Sequence, residues 1–135
     1  MILLKEESVT LACNATWGFL FQKWSGFCPD ALFHQAIDIT FRQLRQRNFR
    51  KILSDVRSQR VVSPRCQDYV QASVMEFVRE RGNIWVAFVV RDKSPVNPCL
   101  NRYLGHMHEG NERAYNAPFP SMQKALQWLQ VCEGR

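Results

Sequence analysis

Glycine is scarce in this chain, at six residues in 135. None are clustered, so no Gly-rich loop is available to cradle phosphate. No G-x-S-x-G elbow occurs, and no cysteine adjoins a base that would activate it, which leaves nucleophilic catalysis without a carrier. The five cysteines (Cys13, Cys28, Cys66, Cys99 and Cys132) are irregularly spaced. An odd count without C-x-x-C supports neither a disulfide framework nor a structural zinc site, so reduced thiols are expected. No apolar run reaches the roughly 18 residues that span a bilayer. Met1-Ile2-Leu3-Leu4 runs straight into Lys5-Glu6-Glu7, leaving no hydrophobic region long enough for a signal peptide. A cytoplasmic protein with no integral membrane contact is expected, and Asn14-Ala15-Thr16 then reads as a turn rather than a glycosylation site. His106-Met107-His108-Glu109 offers two histidines at i and i+2, which do not share a helix face. With no third ligand in view and His34 read as an ordinary helix residue, no metal and no cofactor are expected.

What is present is an ordinary globular composition, 46% hydrophobic and 22% charged, in a length that suits one domain over residues 1–135. The net charge of +6 is concentrated: residues 42–81 hold ten basic side chains against four acidic ones. These charges fall on two helices and a strand without interleaved aromatics. A solvated helix face is the expectation, and nucleic acid is not an expected partner.

Along the chain, Ile2 to Leu4 and Val9 to Cys13 read as extended, and the aromatic run Trp17 to Trp24 pairs back as an antiparallel hairpin. Cys28-Pro29-Asp30 opens a helix capped by Asp30 or Cys28, with Leu32, Phe33, Ala36, Ile37, Phe41 and Leu44 on one side. A strand over 50–55 follows. Ser63-Pro64 starts a second helix that stops at Gly82. Ile84 to Val90 is apolar on both faces, as a central parallel strand must be. Asn97-Pro98 begins a short helix ending near Gly110, Arg113 to Ala117 reads as an edge strand closed by Pro118, and Ser121 caps a last helix with Met122, Ala125, Leu126 and Leu129 inward. Strands alternating with helices predict a mixed, mostly parallel α/β sheet of four to five strands, an antiparallel hairpin at its start, and about four helices.

The chain is organised around Arg50 to Pro64, RKILSDVRSQRVVSP: a buried strand, a polar loop at its carboxyl end, then a capped helix. Ligands of open α/β sheets bind outside the carboxyl ends of the strands. Asp55, Arg57 and Ser58 leave one strand there, and Arg91 and Lys93 leave its neighbour, a candidate anion or ligand site. Charged loops also arise simply because loops are wet. Trp17, Phe19, Phe21 and Trp24 are either core or, since aromatics favour both, a dimer interface or apolar ligand pocket.

Several of these segments, taken in order, resemble the small bacterial SpoIIAA-like, or STAS-like, domains. They are Trp24-Ser25-Gly26, the helix after Pro29-Asp30, Leu53-Ser54-Asp55-Val56-Arg57 followed by Val62-Ser63-Pro64, Val86-Ala87-Phe88-Val89-Val90, and the ending from Phe119 through Ala125-Leu126-Gln127-Trp128-Leu129. The similarity covers nearly the whole chain. It implies a sheet of four or five strands with helices around it. The family's best-understood relatives are anti-sigma-factor antagonists that bind a kinase partner and are switched by phosphorylation of a serine at the start of the helix after the central strand. Ser63 stands in that neighbourhood, although Val62-Ser63-Pro64-Arg65 replaces the Asp-Ser-Ser-Gly of the pattern. Ser63 is thus a helix cap, worth about 1 kcal/mol, or a phosphoacceptor beside Arg60 and Arg65.

The expected function is a non-enzymatic regulatory module acting through a protein partner or a homodimer. The alternative is a carrier for a small hydrophobic or anionic ligand. An enzyme ranks last, because no nucleophile–base or metal set emerges.

Overall fold

The computed structural model describes residues 1–110 and 113–132. Its elements are β1 (Ile2–Lys5), β2 (Val9–Asn14), β3 (Phe19–Gly26), α1 (Asp30–Arg47), β4 (Lys51–Gln59), α2 (Pro64–Arg81), β5 (Ile84–Val89), α3 (Asn97–Gly110), β6 (Ala114–Phe119) and α4 (Met122–Val131). The six strands lie in one sheet in chain order, β1 to β6. This is one strand more than the alternation of helices and strands suggests, because Ile2–Lys5 turns back on Val9–Asn14 as a strand of its own.

β2 and β3 pair antiparallel through a turn in which the Gly18 amide donates to the Asn14 carbonyl (2.9 Å) and the Trp17 amide to Asn14 Oδ1 (3.0 Å). From β3 onward every pairing is parallel, and Ile52 of β4 faces Val86 of β5. Three successive right-handed crossovers that step in one direction place their helices on the same face. Accordingly α1, α2 and α3 share a single apolar core with Leu20, Ile52, Val86 and the inward residues of β2. α4 follows the last strand and packs on the opposite face against Leu53, Trp85, Ala87 and Val89, through Ala125 and Leu129.

Helix boundaries follow local chemistry. Ser63 caps α2 by accepting from the Cys66 amide, with Pro64 at the first position, and Ser121 caps α4 by accepting from the Lys124 amide. α1 departs from expectation: Pro29 itself occupies the cap with no side-chain bond, and Asp30 is the first helical residue. The Arg113 carbonyl accepts from the Ile84 amide of β5, and the Phe119 carbonyl from the Val90 amide just beyond it. The alternation of the strand therefore turns Pro118 outward, where its missing N–H costs no ladder bond.

The largest difference from expectation lies in β4. The segment 56–59, expected as a polar loop, continues the strand, because β3 runs on to Gly26 and pairs with it after β5 has ended. Lys23 faces Asp55 but Ser25 faces Ser58, so Val56 and Arg57 together oppose Trp24. This β-bulge reverses the alternation. Val56 and Gln59 consequently both point to the three-helix side and are buried.

Candidate functional site

The carboxyl ends of the parallel strands carry three connections: 27–29 after β3, 60–63 after β4 and 90–96 after β5. The first two are joined by a hydrogen bond from the Arg60 amide to the Gly26 carbonyl (3.1 Å). A second joint lies just behind it. Ser63 Oγ accepts from the Cys66 amide (3.1 Å) and donates to Asp30 Oδ1 (3.2 Å), and Cys66 Sγ donates to the same oxygen (3.3 Å). Asp30 at the start of α1 thus holds the start of α2.

Burial, aided by the Asp30 carboxylate, pushes the Cys66 thiol up against the opposing hydrogen bond from Ser63. Burial likewise raises the Cys28 thiol, with a Ser8 hydrogen bond opposing and Asp30 adding to the shift. Neither sulfur is a thiolate at neutral pH. The same two connections, 27–29 and 60–63, carry two exposed apolar side chains, Phe27 at 67% and Val61 at 53% exposure. Exposed Arg60 and Arg65 flank them.

The proposed anion cluster is divided differently from the way the sequence suggests. Asp55 is buried, and Arg57 grips it bidentately, Nε to Oδ1 at 3.0 Å and Nη2 to Oδ2 at 2.8 Å, while the Arg57 amide also donates to Oδ1 (3.2 Å). Burial opposes ionisation of Asp55, but these hydrogen bonds and the charges of Arg57 and Lys23 outweigh it, so its pKa lies below the ordinary value. The Arg57 charge is therefore matched within the protein. Asp55 also shares the face of Leu53 and α4, across the sheet from Ser63 and α2. Ser58, Arg91 and Lys93 are exposed. Lys93, at φ 60°, sits in a turn closed by the Ser94 amide donating to the Arg91 carbonyl (3.3 Å).

The four aromatics do not form one patch. Phe19 and Phe21 face α4, Trp24 faces α1 and packs on Phe33 with ring centroids 4.8 Å apart and planes tilted by 30°, and Trp17 is exposed at the hairpin turn. Trp24 is engaged further by donating from Nε1 to Gln22 Oε1 (3.2 Å). Of the metal-like run, the side chains of His108 and Glu109 lie outside the described residues. Among the described residues no group of three or more His, Cys, Asp or Glu could hold a metal ion, and no helix is long and apolar enough to cross a membrane.

Phe27, Val61 and the Asp30 clamp carry most of this surface, and none of them stands out in the sequence by period. The available signals are an isolated aromatic in a loop between Gly26 and Pro29, and two valines placed where a loop is otherwise polar.

No family model matches the sequence, and no curated protein matches it. Among solved structures, the chain is similar to an anti-sigma factor antagonist from Mycobacterium paratuberculosis, at 17% identity and a TM-score of 0.57, over 95% of this chain and 99% of that one. The fold is SpoIIAA-like, or STAS-like.

Proposed function

We propose that the chain is a non-catalytic regulatory module, a single domain over residues 1–135, that docks a protein partner on the loop end of its sheet. The supporting observation is the presence of Phe27 and Val61, both apolar and exposed, on two connections held together by a backbone hydrogen bond. Apolar anchors rimmed by charge are how interfaces are built. Arg60 and Arg65 at the rim favour an acidic partner surface. The similar solved structure is itself described as an anti-sigma factor antagonist, a protein that acts on another protein.

Ser63 lies beneath this surface. A phosphate on its oxygen would gain Arg60, Arg65 and the positive end of α2. It would also lose the hydrogen bond to Asp30 and repel that carboxylate. Modification would therefore part the starts of α1 and α2, just where Phe27 and Val61 are presented.

The test compares the immobilised chain with a Phe27→Asp/Val61→Asp variant and with Ser63→Asp, retained proteins being quantified by mass spectrometry and self-association by light scattering. The double variant is expected to melt within about 1 °C of the parent, because both side chains are exposed. A protein or second copy bound by the parent and lost in the double variant supports the reading. Retention indifferent to all three substitutions overturns it.

A further inference from the structure

Between the sheet and α1–α3 the packing leaves a cavity of about 90 Å³, partly open to solvent. One water needs roughly 10–15 Å³ of such space, so there is room for several waters or one small organic molecule. The walls are apolar: Phe33, Ile37, Val74, Val86 and Leu100 are among them, and among the described residues no Asp, Glu, Lys, Arg or His side chain lines the space. Tyr103 borders it, and burial pushes its phenol up, which keeps it neutral.

Most polar groups on the lining are paired within the protein. Gln22 donates to Thr40 Oγ1 (2.9 Å) and accepts from Trp24, and Gln67 Nε2 donates to the Val62 carbonyl (2.7 Å). Two side chains differ. Ser54, 2% exposed, and Gln59, 6% exposed, line the cavity without a side-chain hydrogen bond to any described residue. Ser54 sits deep in the sheet, level with Gln22 and Phe88. Gln59 reaches the same space only because the β4 bulge turns it inward, and it shares the lining with the half-buried Val62, just before α2, and with Gln67 and Cys99 in the first turns of α2 and α3. Among the described residues the fully buried side-chain atoms without a partner are His34 Nε2, Ser94 Oγ and Asn97 Oδ1, so the polar ends of Ser54 and Gln59 are not sealed away but open onto the cavity and whatever fills it. A bulge that aims one of them into a cavity is a feature of sites rather than of cores.

We infer that this cavity binds a small, uncharged, mostly apolar molecule bearing a hydroxyl or carbonyl group, which Ser54 and Gln59 receive. The absence of any charged wall selects against carboxylates, because desolvating an ion there finds no counter-charge. The site is independent of docking at Phe27 and Val61, and its test leaves those residues untouched.

The probes are 1-hexanol and hexanoate, titrated into the 15N-labelled chain and followed by amide shifts, with melting of the ligand-free protein measured alongside. Hexanol is expected to give saturable shifts at residues 54, 59, 86 and 99, and hexanoate to bind at least tenfold more weakly. Ser54→Ala and the near-isosteric Gln59→Met are each expected to leave the melting temperature of the ligand-free protein unchanged or higher while weakening hexanol binding several-fold. A purely structural role for these side chains would lower the melting temperature. Absence of saturable shifts, hexanoate binding as tightly as hexanol, or variants that melt lower and bind hexanol unchanged overturns the assignment.

Discussion

Asp55 is a carboxylate buried in the middle of a sheet, and it remains ionised there because Arg57, two residues on, bends back to hold both its oxygens. Its folded-state pKa lies below the value near 3.9 of the unfolded chain. A depressed carboxyl contributes stability that is complete above the unfolded pKa and is lost as pH falls through the folded one. Asp55→Asn leaves Arg57 without its partner and is expected to cost about 1–3 kcal/mol at pH 7. The gap from the parent should shrink below about pH 4. Urea unfolding of both proteins between pH 7 and pH 3 measures this, and a gap constant across that range would show that the ion pair does not contribute.

At the scale of the element, the joint between α2 and β5 turns on Gly82, whose φ of 90° and ψ of −137° suit only glycine. A methyl group there would meet the Arg50 guanidinium, which itself donates to the Arg81 carbonyl, at an ordinary contact distance of 3.5 Å, so the cost lies in the backbone. Gly82→Ala is expected to lower stability by about 1–3 kcal/mol, read as a drop in denaturation midpoint with unchanged slope. Gly26→Ala, also at positive φ but with open space around it, should cost the lower end of that range. Elements of this kind were readable in the sequence because their signals are local: Ser63-Pro64, Gly82, Ser121 and the two-sided apolar run Ile84–Val89 each carry their own chemistry. β4 beyond Asp55 was not. Val56-Arg57-Ser58-Gln59 is polar by composition, and the bond that makes it a strand comes from β3, more than thirty residues earlier. The bulge then shifts the alternation by one, so no period-two reading can place Gln59 inside. The aromatic run was misleading for the opposite reason. Alternation correctly parts Phe19 and Phe21 from Leu20 and Gln22, but Trp24 falls with the even residues, and the turn takes Trp17 out of the strand. In the site, the basic residues and Ser63 were visible, while the Asp30 clamp joins two helix starts thirty-three positions apart.

For the molecule as a whole, the sheet separates two cores of unequal size. Three helices cover one face, whereas among the described residues α4, ten residues long, covers the other alone. α4 lies over β4 to β6, and beside it Phe21, Ala12, Met122 and Leu126 border an open depression of about 330 Å³. A short helix held by one face of apolar contacts belongs at the low end of local stability. Leu129, 2% exposed, is among its principal anchors. Leu129→Ala and Leu44→Ala delete the same group from the small and the large core, and each is expected to cost about 2–5 kcal/mol globally. Their local signatures should differ. Leu129→Ala should speed amide exchange throughout α4 and leave α1 and α2 protected. Leu44→Ala should lower protection on the three-helix face together, because α1 and α2 share one cluster with the sheet. Hydrogen exchange resolved by residue measures both, and equal loss of protection on the two faces in Leu129→Ala would show that the sheet transmits the damage and that the two cores open as one.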